Sequence, residues 1–116
     1  MSNLLRHGLL AVSLTALPAA AHHGWSSYEN DKPLTLTGTV VEAAYTYPHA
    51  TIKLESGGKT WLAVLAPPSR MSARGLPSAD LKTGIQATVE GYPNRDDPQE
   101  MRAERIIIGG KTTELR

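Results

Sequence analysis

The 116-residue chain contains no cysteine and no phenylalanine. The first absence rules out disulfide staples and any catalytic or metal-binding thiolate. The second leaves Ile, Val, Leu and Ala to build the core, with two Trp and four Tyr as the only aromatics. Charge of one sign is also missing: 12 Lys and Arg stand against 11 Asp and Glu. A balanced chain has no electrostatic reason to hold nucleic acid or an anionic membrane. The marked apolar stretch, at the N-terminus, is shorter than the roughly 18 residues of a spanning helix.

That stretch has the form of a secretory signal peptide over residues 1–21. Arg6 and the α-amine make a short positive region, Leu9 to Leu17 an apolar core, and Pro18 and small residues follow. Ala19 and Ala21 place the preferred cut before His22, with a cut after Ala20 as the alternative. The processed chain loses only Arg6 among its charged side chains, so its formal charge is zero over 95 residues. Export implies a periplasmic protein with no stable membrane insertion after processing. A cysteine-free domain this small needs compact β closure, a metal or a partner to supply what disulfides would.

Along the processed chain, "HHGWSSYENDKP" (22–33) is polar without a period and reads as an N-terminal arm. "LTLTGTVVEA" alternates apolar and polar, which predicts a strand whose half-buried face carries Leu34, Leu36 and Val40. Gly38 inside it suggests a bulge or sharp bend. "ATIKLE" and "TWLAVLA" are the next two strands, joined at Gly57-Gly58, where positive φ costs little. "PPSRMSARG" predicts a short helix, with proline near its start and Gly75 at its end. "LKTGIQATVEGY" and "MRAERIIIGG" supply strands four and five, and "KTTELR" can extend the last as a short hairpin. The expected fold is all-β: a small five-stranded OB-type Greek-key barrel over 34–116 with one short helix between strands three and four. A small open β-sandwich and an SH3-like barrel are the alternatives.

His22, His23 and His49 are the strong nitrogen ligands of the processed chain. A terminus at His22 offers its α-amine and ring Nδ1 to one ion as a chelate, and His49 or His23 adds a third nitrogen. Copper(II) suits such a tetragonal nitrogen set and binds it most tightly of the divalent first-row metals; nickel and zinc are the other candidates. A terminus at Ala21 would instead put His23 third, where the amine, two backbone amides and the ring wrap copper or nickel in a plane. His49 lies in "YPHA" between the first two strands. The ten residues between His23 and Leu34 can span about 30 Å when extended, so the arm can fold back to that loop.

Other residues have plainer readings beside chemical ones. Met71 and Met101 can ligate copper(I) or fill core gaps. Trp25 can lie over a ligand or anchor the arm, and Trp61 suits the core or barrel rim. Asp96 and Asp97 can attract a cation or form a solvated turn. No nucleophile elbow, paired-carboxylate site or phosphate loop is present, so catalysis would rest on a redox metal alone.

The segments "AHHGWSSY", "DKPLTLTGTV", "YPHATIKL" and "WLAVLAPPSRMSARGL" resemble an uncharacterised family of small exported bacterial proteins, a domain of unknown function. The resemblance implies a periplasmic β-barrel and no settled activity. The approach Lys82 to Gly84 is similar to the fourth strand of the copper and silver chaperone of Cus-type efflux systems, whose metal ligands have no residue-by-residue match here. These readings converge on a periplasmic copper chaperone or buffer, with the ion and a periplasmic metalloprotein or efflux component as partners. The rival is a non-catalytic module binding a protein, peptide or small ligand, with the HHGW arm as a latch.

Overall fold

The computed structural model describes residues 24–116. The expected signal peptide, His22 and His23 lie outside the described residues. Six strands form: β1 (Leu34–Ala44), β2 (Thr51–Ser56), β3 (Lys59–Val64), β4 (Gln86–Pro93), β5 (Glu100–Ile108) and β6 (Lys111–Glu114). One short helix, α1 (Pro68–Ala73), lies between β3 and β4, and single 3-10 turns occupy Trp25–Ser27 and Ser78–Asp80.

The first three strands and β4 pair antiparallel in the order β3-β2-β1-β4, and β5 adds beside β4. Leu62–Val64 of β3 then pairs parallel with Glu100–Arg102 of β5. This short ladder closes a five-stranded barrel and removes the edges an open sheet would expose. β6 lies outside the ring as a hairpin partner of β5, turned at Gly109-Gly110.

β1 makes this possible by serving two neighbours. Leu34–Thr39 pairs with β4, and Thr39–Ala44 pairs with β2. The sequence suggests a bulge or sharp bend at Gly38; the bulge itself falls between Val40 and Glu42, leaving Val41 as the extra, exposed residue. Gly38 meets a different need. A Cβ there would sit 1.9 Å from the Glu55 carbonyl oxygen, so the glycine admits the close backbone approach where β1 changes partner.

The strand alternation fills the barrel as predicted. Val40, Ile52, Leu54, Ala63, Ala87, Val89, Met101, Ala103 and Ile106 all point into one core. In β5 the alternation skips Glu104, matching the register shift opposite Glu90 and Gly91. α1 seals one end by burying Met71. Proline at its first turn suits a position whose N–H needs no partner, and Gly75 ends it at φ +92°. The Leu76 N–H then donates back to the Met71 carbonyl at 2.8 Å, closing the last turn. Arg70 donates to the Leu115 carbonyl and Arg74 to those of Glu114 and Arg116, which ties the helix to the C-terminal segment.

Candidate functional site

The outward face of β5 at the barrel-closing ladder does not meet solvent. Alternation sends Met101 and Ala103 inward and therefore Glu100 and Arg102 outward, yet these two are only 8% and 5% exposed. Their cover is the segment after Gly24. Tyr28 bridges antiparallel to Asn94, Glu29 N–H donates to the Pro93 carbonyl at 2.9 Å, and Arg95 N–H donates to the Ser27 carbonyl at 3.0 Å. Tyr28 is fully buried, so part of the polar arm is structural.

Trp25 fixes the arm more firmly. Two guanidiniums lie over its ring, with Arg102 Cζ 4.5 Å and Arg116 Cζ 4.3 Å from the ring centre. Tyr92 meets it edge-on at 6.3 Å. Such contacts stabilise by about 0.5–2 kcal/mol each, most where water is excluded. The anchoring role expected of Trp25 is what these contacts describe.

Arg102 links the arm to the histidine loop, since its Nη2 lies 3.3 Å from His49 Nε2. His49 follows the cis Tyr47-Pro48 bond at the start of the turn into β2 and is half-buried. Burial lowers the Arg102 pKa; Tyr28 offsets this, and the like charges of Arg70 and Arg116 add to it. The guanidinium remains a cation in neutral water. Metal bonding at His49 Nε2 therefore requires the guanidinium to swing aside, or the ring to turn.

Glu100 is the acidic counterpart. Its Oε2 accepts from Tyr28 Oη at 2.5 Å and from Asn94 Nδ2 at 3.2 Å. His49 and Glu100 both line a cavity of about 280 Å³, together with Tyr47, Pro48, Leu62 and Val64. Tyr47 stands at its mouth, 68% exposed. A second cavity of about 300 Å³ lies beneath the Ser78–Asp80 turn, lined by Lys82, Ile85, Ile106 and Lys111, and contains no imidazole.

Burial, and then the hydrogen bond to Glu100, push the Tyr28 hydroxyl well above its ordinary pKa of 10. The folded phenol stays protonated where the unfolded one ionises. Its stabilising contribution is thus complete below about pH 10 and is lost as pH climbs from there towards the folded-state value. Urea denaturation as a function of pH should show falling stability above about pH 10, with a shallower fall in Tyr28→Phe.

The other sequence candidates separate cleanly. Met71 and Met101 are fully buried in the core, the gap-filling role. Trp61 is partly buried against the core with Lys59 Nζ 4.5 Å over its ring. Asp96 and Asp97 belong to a turn, both N–H groups donating to Asn94 Oδ1 at 2.9 Å. Among the described residues no group of three or more His, Asp or Glu could hold a metal alone. His49 thus brings one nitrogen, and the other two expected ligands, His22 and His23, lie outside the described residues. Sequence reading misses Glu100 and Arg102, because polar residues alternating with apolar ones in a strand look solvated. Only the arm's cover over them changes that.

Comparison with curated proteins finds no match. Solved structures with the same fold include TiaS in complex with its tRNA and ATP, with 18% identity over 77% of this chain and 20% of that one at a TM-score of 0.51. A ZRD-deleted mutant of TiaS in complex with agmatine gives 19% identity over 76% of this chain and 25% of that one, at 0.52. Apo TiaS, a tRNA agmatidine synthetase, gives 18% over 84% and 21%, at 0.51. This chain spans about a fifth to a quarter of those chains' length, and the likeness is one of fold alone. The model of a family of unknown function, DUF6152, matches residues 10–102, and the chain belongs to that family.

Proposed function

We propose that this protein is a periplasmic copper-binding protein, a metal chaperone or buffer, built on an OB-type Greek-key barrel. The ring order β1-β2-β3-β5-β4, the parallel β3–β5 closure and the helix between β3 and β4 support the OB-type reading. The leader-like residues 1–21 support export.

One observation carries the metal reading. Trp25 is stacked on the same guanidinium whose Nη2 contacts His49. His23 is two residues before Trp25 and can lie no more than about 7 Å from it along the chain. That the described arm from Gly24 onward is held beside this guanidinium supports a reading in which the histidines preceding it reach His49. In this reading His22 supplies amine and imidazole, His49 the third nitrogen, and His23 a fourth ligand or an outer hydrogen bond. Copper(II) is the favoured ion, with nickel and zinc as competitors.

The test is titration of correctly processed protein with copper(II) against a competing chelator. One ion per chain should bind, and a chain retaining an extra N-terminal Met should bind more weakly because its amine is displaced. Binding unchanged by that Met would sink the amine-dependent mechanism. Uptake should also weaken below about pH 6, since ligand imidazoles, with an ordinary pKa near 6.5, must give up their protons to bind.

The Arg102–His49 contact favours a second reading as well. A non-catalytic module would use the arm as a latch and take a protein, peptide or small ligand. In that case copper titration gives only the weak, variable uptake of exposed histidines. RNA, named with one of the similar structures, is not expected here given the balanced charge.

A further inference from the structure

We infer that the cavity beneath the Ser78–Asp80 turn binds a medium-chain aliphatic carboxylate, its chain on an isoleucine floor and its head at a pair of lysines. The site shares no lining residue with the His49 cavity, so the inference stands apart from the copper reading. The strand register builds the floor. Ile106 pairs with Thr113 and Ile108 with Lys111, and directly opposite residues of an antiparallel pair share a face. Leu76 and Ile85 complete the apolar lining. Ile85 and Ile108 pack against the core yet are only partly buried, so the core reaches the surface here. It does so in a concave site of about 300 Å³, the lower end of the range for small-molecule pockets.

The polar lining selects the head group. Thr113 is only 3% exposed, and its hydroxyl has no hydrogen-bond partner among the described residues. Buried polar groups are as a rule satisfied, so this hydroxyl is left for whatever fills the cavity. Lys111 Nζ donates to the Gly75 carbonyl at 2.5 Å, which fixes an ammonium at the rim with protons to spare. Lys82 stands at the same rim and makes no ion pair among the described residues. Two lysines against the single acid of the lining, Asp80, favour an anion. The floor selects the rest. It is branched aliphatic without an aromatic ring, so it rewards burial of an alkyl chain and offers no stacking. A nucleotide or sugar phosphate would leave polar groups unpaired on the isoleucines. At roughly the 30 Å³ that a water takes in the liquid, the cavity holds about ten non-hydrogen atoms, the size of octanoate.

The experiment titrates octanoate into processed protein carrying carbon-13 at the isoleucine δ-methyls, with hexanoate, octan-1-ol and octylammonium as comparison probes. The Ile85, Ile106 and Ile108 methyls should shift saturably with one octanoate per chain, while Ile52, which does not line the cavity, stays in place. Hexanoate should bind about 15-fold more weakly, near 4-fold for each methylene lost. Octan-1-ol and octylammonium should both bind more weakly than octanoate. Lys82→Gln should weaken octanoate by about 2- to 5-fold and Asp80→Asn should tighten it. Both side chains are exposed, so thermal melts of the two variants should match the wild type. Opposite signs from two neighbouring surface changes are not what a general loss of structure produces. Intermolecular Overhauser effects between the octanoate chain and these methyls locate the ligand in the wild type without any variant. Shifts that never saturate, or that spare Ile85, Ile106 and Ile108, overturn the inference, as does octylammonium binding as tightly as octanoate.

Discussion

Gly91→Ala should destabilise the protein by at least about 3 kcal/mol, the upper end of overpacking costs, with loss of fixed tertiary structure at ordinary temperature. Gly91 pairs with Leu34 of β1 on one side and Ala103 of β5 on the other, at the point where the β4–β5 register shifts. A Cβ there would lie 1.8 Å from the Arg102 carbonyl oxygen and 2.8 Å from Ala103 Cα. Both obstacles are backbone, so no side chain can rotate to relieve them. The strand carrying Arg102 must move instead, and with it the guanidinium that holds Trp25 and His49. Gly57→Ala is the matched control: its φ of +60° penalises alanine by about 1–2 kcal/mol, but nothing lies within 4 Å of the new methyl. Urea denaturation and near-ultraviolet circular dichroism of the two variants separate a steric failure from a conformational one.

His49→Ala should reduce copper affinity by at least about 100-fold, or about 2.7 kcal/mol, while leaving the fold intact. The ring is half-buried at the barrel rim, and its removal leaves the aliphatic core untouched. Its partner Arg102 retains Trp25 as a stacking surface, so the arm should stay docked. The contrast with Trp25→Ala is informative. That change removes both guanidinium contacts and the Tyr92 contact, so it should loosen the arm by about 1–3 kcal/mol and weaken copper binding indirectly. Chelator competition at matched pH, with denaturation curves beside it, distinguishes a lost ligand from a loosened arm.

What the sequence makes legible follows from periodicity. Ala50, Ile52 and Leu54, or Ile85, Ala87 and Val89, announce inward-facing strands without help from anything distant. Pro67, Pro68 and Gly75 mark the ends of the helix by backbone chemistry alone. The barrel's closure is harder to read, because Leu62–Val64 meets Glu100–Arg102 across a long stretch of chain and no local signal records such pairing. The bulge eludes the sequence for a related reason: glycine marks either a bulge or a close approach, and Gly38 is the second kind. Tyr28 reads as part of a polar arm without a period, and no local signal marks it as fully buried with its hydroxyl on Glu100. Of the candidate site, His49 is legible as a loop histidine, whereas Glu100 and Arg102 become candidates only once the arm is seen to cover them.

The central claim is that the processed terminus and His49 grip one copper ion. Electron spin echo modulation of the one-to-one copper(II) complex, which detects the remote nitrogen of each bound imidazole, reads it most directly. Modulation from at least two imidazoles is expected in the wild type, and from one fewer in His49→Ala. An identical modulation pattern in the two proteins would contradict the claim, for the ion would then be held without the barrel's own histidine.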